Sequence, residues 1–251
     1  MTLICRLLTA ALLALGTALP AQALDLENLN AADRTRLREE IRAYLLENPE
    51  VIMEAVAVLE KRQAAGQVEA DRQLVRANAD ALFSSPNDWT GGNPDGDITL
   101  VEFMDYKCGY CRRAFEDVKS LVKEDGNIRF ILKEFPILGE ESVAAARFAI
   151  ATRQVAGDDA YKSVHDALMA YNGKMNETGF TRLADALGLD ANAIIAEMDS
   201  DAVTQTIAAN RALGQRLRIS GTPTFVMEDR MLRGYLPQDA MQQAANEIRA
   251  Q

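Results

Sequence analysis

Cys108 and Cys111 enclose the dipeptide Gly109-Tyr110, and these two thiols are the residues of the chain best suited to do chemistry. The run before them, Ile98 to Met104, is rich in β-branched and aromatic residues. The run after them, Arg112 to Lys123, repeats apolar residues at Phe115, Val118 and Val122. The first pattern predicts a strand and the second a helix. Cys108 then falls at a strand-to-helix junction, where unpaired backbone N–H groups and the positive end of the helix dipole stabilise a thiolate, the reactive form of cysteine. Cys111, about one turn further on, is placed to attack a mixed disulfide formed on Cys108. The expected chemistry is electron transfer through sulfur, with no cofactor. Half of a zinc site has the same spacing, but zinc takes about four ligands. The chain has no second cysteine pair and one histidine, His165, so one chain cannot complete a mononuclear Cys/His site, and no metal is expected.

The start of the chain bears on compartment. Arg6 gives a positive n-region, Leu7 to Leu19 form a short apolar run, and Ala21-Gln22-Ala23 fits a small-x-small cleavage site. An uncleaved membrane anchor is the alternative, but the run is short for a bilayer. Cleavage after Ala23 starts the mature chain at Leu24 and removes Cys5, leaving Cys108 and Cys111 in an export-dependent, disulfide-permissive setting. As a structural staple so short a loop would constrain the unfolded chain little, and a redox pair is the better reading. The composition, 48% hydrophobic and 25% charged, is that of a globular protein, and a net charge of −10 argues against a general nucleic-acid binder.

Other elements must position the thiols. Residues 24–84 read as a charged helical arm, with Leu37, Ile41 and Leu45 on one stretch and Ile52, Val56 and Leu59 on another. Asn48-Pro49 separates two helices, and Gly66 is expected to interrupt the second. The narrow apolar stripes have no partner within the arm; they pack either on the main domain or on another subunit. Turn-rich segments flank a possible edge strand near Trp89 and open a domain over residues 85–251. After the active-site helix, Ile128 to Phe135 reads as the next strand, and strand, helix, strand implies a parallel crossover. Residues from about 138 to 214 carry only helical spacing, at 143–150, 161–168, 180–187, 194–198 and 203–213, and form a helical insertion. The sheet resumes at Thr222 to Met227, turns at Glu228-Asp229-Arg230, returns through Met231-Leu232, and a helix follows from Pro237.

Three motifs together resemble the DsbA-like branch of the thioredoxin superfamily: Glu102-Phe-Met-Asp-Tyr-Lys-Cys-Gly-Tyr-Cys111, a helical domain between the two halves of the sheet, and Gly221-Thr-Pro-Thr-Phe225. The arm, with Leu46-Glu-Asn-Pro-Glu-Val-Ile52, is similar to the extension of ScsC-type and Com1-type members, some of which oligomerise through it. The resemblance implies an α/β thioredoxin fold with an inserted helical domain and an N-terminal helical arm. It makes Cys108 the nucleophile and Cys111 the buried resolving thiol. It makes Pro223 the cis-proline facing them, with Thr222 offering its backbone to an extended substrate peptide. Glu102 matches an acidic residue beneath the active site, and Lys133 its basic partner on the next strand, a pair able to shuttle the proton of Cys111. The alternative is that strand alternation points both side chains to solvent. Gly109-Tyr110 and Thr222 resemble DsbC-type isomerases and ScsC-type members and differ from strongly oxidising DsbA. His165 is expected in a helix of the insertion with no catalytic task.

These readings predict a periplasmic protein thiol–disulfide oxidoreductase of isomerase or reductase type, with a DsbA-type dithiol oxidase as the alternative. Its partners would be cysteine-containing exported proteins, a membrane redox recycling partner, and copies of itself through the arm. The rival from another class is a non-catalytic chaperone or a soft-metal binder that pairs thiolates between subunits.

Overall fold

The computed structural model describes residues 30–250; the expected signal peptide and its cleavage after Ala23 lie outside the described residues. Among them, residues 30–61 belong to one unit and residues 62–250 to another. Helix α1 (Ala31–Glu47) is capped by Asn30, whose side chain accepts from the Asp33 N–H at 2.9 Å. Asn48 ends it, and α2 (Glu50–Ala77) starts straight after Pro49, where a missing N–H breaks no helix bond. The interruption expected at Gly66 does not occur. A single glycine costs a helix only about 1 kcal/mol, and the good helix formers around it offset that. No residue of α1 is buried, and Ile41, Tyr44, Leu46, Ile52, Met53 and Leu59 are each more than half exposed.

The second unit is built on a five-stranded sheet in the order β1-β3-β2-β4-β5. The strands are β1 (Trp89–Gly92), β2 (Ile98–Met104), β3 (Ile128–Glu134), β4 (Thr224–Met227) and β5 (Arg230–Arg233). β2 and β3 are parallel, joined through α4 (Gly109–Asp125), and the other pairs are antiparallel. The edge strand anticipated near Trp89 is β1. α4 ends where Gly126 adopts φ 68°, the left-handed geometry that glycine takes without strain. Between β3 and β4 lies the helical insertion: α5 (Glu140–Ala170, kinked at Gly157), α6 (Glu177–Ala186), α7 (Ala191–Glu197) and α8 (Asp201–Arg216). Asn176, Asp190 and Ser200 cap the last three by accepting from backbone N–H groups. α9 (Gln238–Arg249) closes the fold after Pro237.

Both faces of β2 and β3 are covered, which is why these strands read as nearly continuous apolar runs. On one face Leu100, Met104, Phe130 and Leu132 pack with Val118 and Leu121 of α4 and with the insertion. On the other, Val101, Phe103 and Ile131 pack with Leu213 and Leu217, and with Val75 of α2 and Leu82 of the short helix α3 (Ala79–Phe83). That second core moves the expected domain boundary at residue 84. Val75 and Leu82 are fully buried in it, Asp71 pairs with Arg233 at 2.8 Å, and the Phe83 carbonyl accepts from Arg129 at 3.0 Å. The stretch from Asp71 to Phe83 is therefore part of the sheet domain.

Candidate functional site

α4 begins at the dithiol. Cys108 is its N-cap residue, in an extended conformation, and its Sγ accepts from the Cys111 N–H at 3.4 Å. Cys108 Sγ also lies 3.1 Å from the Thr222 carbonyl, to which the protonated thiol donates, and the Thr222–Pro223 peptide bond is cis. The loop before β4 thus faces the cysteines, bringing Thr222 and Pro223 to Cys108. Both cysteines are free thiols. Donation from the Cys111 thiol, then from the Thr222 hydroxyl and the Cys111 and Tyr110 backbone N–H groups, outweighs burial and brings the Cys108 thiol down to about 5. Burial first, then the bond to Cys108 and the nearby Glu102 carboxyl, push the Cys111 thiol far up. The two sulfurs are electrostatically opposite: one ionised near neutrality, the other held as a thiol. Cys108 retains only 7% of its surface, with the Thr222 carbonyl against its sulfur, and Cys111 retains none. Tyr110 is 63% exposed beside them, and a side chain at Gly109 would meet open space.

Glu102 is buried on β2, and its Oε1 has no hydrogen-bond partner. Burial, then the charge of Cys108, raise its carboxyl to about 8. Neither Glu102 nor Lys133 reaches solvent, so the alternation alternative fails. The expected pairing of the two also fails. In the parallel register Glu102 faces Leu132 and Phe103 faces Lys133, and partners across a parallel pair share a face. Lys133 therefore lies on the opposite side of the sheet, where its ammonium bonds the Asp88 carboxylate and the Ala81 carbonyl, the latter at 2.6 Å. Desolvation lowers the lysine's pKa against the pull of Asp88. It holds β3 to the segment before β1 and has no contact with the thiols.

Several residues that support the site carried no role in the sequence reading. Asp105 accepts from Lys107 N–H at 2.8 Å and from the Ile137 and Leu138 N–H groups at 2.8 and 3.1 Å, tying the cysteine loop to the loop after β3. Arg112 donates to the Tyr106 carbonyl at 2.8 Å and to the Tyr171 carbonyl at 2.7 Å, fastening α4 to the insertion. The Tyr106 and Tyr161 hydroxyls both donate to Glu134 Oε1 at 2.7 Å, and Tyr106 lies 3.1 Å from His165 Nδ1. Burial raises Glu134 to about 8 and lowers His165 to about 3, so this cluster is uncharged at neutral pH. His165 lies in the insertion as expected, buried in this cluster. The available signal was Asp105-Tyr106 next to the CxxC and Glu134 within an apolar strand.

Among the described residues no group of three or more His, Cys, Asp or Glu side chains could hold a metal ion, and no helix is long and apolar enough to cross a membrane.

Comparison with known proteins gives the same assignment from sequence. Residues 99–246 match the DSBA-like thioredoxin domain, and residues 33–65 match the copper resistance protein ScsC N-terminal domain. A thioredoxin-like oxidoreductase from Silicibacter pomeroyi is 46% identical, with a TM-score of 0.65 over 69% of this chain and 99% of that one. Salmonella enterica Typhimurium BcfH is 30% identical, with a TM-score of 0.70 over 85% of this chain and 94% of its own. The curated relative Na(+)/H(+) antiporter NhaA 1 of Salinispora arenicola is 28% identical over 148 residues, but the chain spans only 22% of its length. The matched segment of the family runs from β2 through α9 and so includes the dithiol, the insertion and the cis-proline loop; the chain belongs to the DSBA-like thioredoxin-domain family of thiol–disulfide oxidoreductases.

Proposed function

We propose that this chain is an exported protein thiol–disulfide isomerase or reductase that works from its dithiol form. The observation that carries the reading is the divided pair: a Cys108 thiolate stable to about pH 5 beside a Cys111 held protonated. Cys108 attacks one sulfur of a substrate disulfide, forming a mixed disulfide and expelling the other substrate sulfur as thiolate. A substrate thiolate can then attack the mixed disulfide, re-forming Cys108 and a different substrate pairing, with no net electron transfer. Otherwise Cys111 gives up its proton, for which the nearby Glu102 is the acceptor in the fraction of molecules where its carboxyl is ionised, and attacks Cys108; the second substrate sulfur leaves as thiolate, substrate gains two electrons and the enzyme becomes the disulfide. Thr222, beside Pro223, offers its backbone to the substrate peptide, and Tyr110 and Gly109 leave the approach open.

A stabilised thiolate favours the dithiol, which isomerisation needs. The Gly-Tyr dipeptide and Thr222 support the same direction. The same stabilisation makes the disulfide form a stronger oxidant, which favours a dithiol oxidase as the second reading; the recycling partner in the membrane decides between them. The exposed apolar residues of α1 and α2 support assembly of several copies. Export to the periplasm rests on Arg6, Leu7 to Leu19 and the site ending at Ala23.

The test uses the full mature protein, reduced, on a scrambled multi-disulfide protein, beside the Cys111→Ser variant. Recovery of substrate activity, with substrate trapped on Cys108 in the variant, is the expected result. Oxidation of a reduced peptide without unscrambling would move the assignment to the oxidase. Metal bound by the reduced protein, with neither activity, would replace both.

A further inference from the structure

Between α4 and the sheet lies a cavity of about 200 Å3 that does not include the thiols. Its walls are mostly apolar, with Trp89 of β1, Phe130 of β3, and Val118 and Val122 of α4, and buried His165 of α5 completes them. Buried Glu102 lies at its inner end with Oε1 unpartnered. Exposed Lys119 and Lys123 and half-buried Lys162 line its outer end. Lys119 also sits 5.5 Å above the Phe115 ring, while Lys162 pairs with Asp166 at 2.5 Å. The geometry points to a binding site for a small monocyclic aromatic carboxylate, its ring among Val118, Phe130 and Trp89, its carboxylate among the lysines, and a ring hydroxyl directed at Glu102.

Size, polarity and charge each narrow the occupant. An apolar cavity of about 150 Å3 takes up benzene, so this one accommodates one ring with small substituents and excludes a folded peptide or a nucleotide. A purely apolar guest would leave the buried Glu102 carboxyl unsatisfied, at a cost of roughly 1–3 kcal/mol; a ring hydroxyl supplies the missing partner. A cationic guest would meet the lysines. They cluster here although the chain carries a net charge of −10, and they complement an anion. Because Cys108 and Cys111 are not in the wall, occupancy is measurable whether or not the proposed exchange activity holds.

Trp89 is the single tryptophan of the chain and lies in the cavity wall, so its fluorescence reads occupancy directly. The full chain is titrated with 4-hydroxybenzoate, with calorimetry alongside. A saturable one-to-one change in the millimolar range or tighter is expected. The cationic analogue 4-hydroxybenzylamine should bind at least about 10-fold more weakly, and the surface double variant Lys119→Glu/Lys123→Glu should lose at least about 10-fold in affinity for the acid. Val122→Phe, which fills the cavity, should abolish binding; the double variant keeps the test decisive if that one does not fold. No saturable signal up to about 10 mM, equal binding of the amine, or an unchanged double variant would overturn the proposal.

Discussion

At the scale of single residues, the chemistry rests on how differently two identical side chains are surrounded. Cys108 sits where a helix begins and its sulfur receives hydrogen bonds; Cys111, one turn inside, receives burial and the neighbouring Glu102 carboxyl. Alkylation follows the thiolate. We therefore expect iodoacetamide to label Cys108 alone, with a rate that rises with pH through a midpoint near 5 and is flat at neutrality. Labelling of Cys111 first, or a midpoint near the ordinary thiol value, would reverse the assigned roles. Glu102 gives a prediction of opposite sign in stability. The folded carboxyl keeps its proton to about 8, whereas an unperturbed one releases it near 4.5. The wild type therefore loses stability relative to Glu102→Gln as pH rises from 4.5 to 8, by a few kcal/mol at most on the order of magnitude. The variant should melt at a higher temperature at pH 8 and equally with wild type at pH 4, while resolution of a mixed disulfide by Cys111 slows roughly 100-fold or more. A pH-independent difference in melting would show that this carboxyl does not titrate in the fold.

At the scale of elements, the sequence carried the order of strands and helices well because its punctuation is strong. Asn176, Asp190 and Ser200 cap three insertion helices, Gly126 ends α4, and the cysteines mark the start of that helix. What it could not carry was the facing of charged residues in β2 and β3. Period-two alternation is informative only where one face is wet, and here both faces are buried, so Lys133 next to Glu134 gives no clue to which of them shares a side with Glu102. The register decides it: Glu134, aligned with Met104, shares that side, and Lys133 serves the second core through Asp88. The same second core explains the misplaced boundary, since Val75 and Leu82 lie in a run of helix-forming sequence whose packing partner is distant in the chain. Lys133→Met should therefore leave the pH midpoint of Cys108 labelling unchanged while costing about 3–5 kcal/mol, the usual loss when one partner of a buried ion pair is removed. That corresponds to a melting temperature lower by roughly 10 °C, and adding Asp88→Leu should restore part of it. A shifted labelling midpoint with intact stability would return Lys133 to the redox site.

At the scale of the whole molecule, the exposed apolar residues from Ile41 to Leu59 find no cover within their own unit. No residue of α1 is buried, and the only buried residues of α2, Asp71 and Val75, lie beyond that stretch. Exposed apolar faces of this kind are a usual seat of association. Assembly would hold several Cys108 thiolates near one substrate and raise their effective concentration, which favours repeated attack on wrong pairings over a single exchange. The deletion that tests this must spare the second core. Removing residues 24–61 leaves Val75 and Leu82 in place, whereas removal to residue 83 would strip both from the sheet. We expect the full mature chain to scatter light as an oligomer and the 24–61 deletion as a monomer. The deletion should keep Cys108 labelling at its midpoint near 5 and still reduce a simple disulfide, yet lose most of the ability to unscramble a multi-disulfide protein. A monomeric full-length chain would remove the assembly argument, and an oligomer whose deletion unscrambles equally well would separate assembly from isomerisation, leaving direction to be set by the dithiol alone.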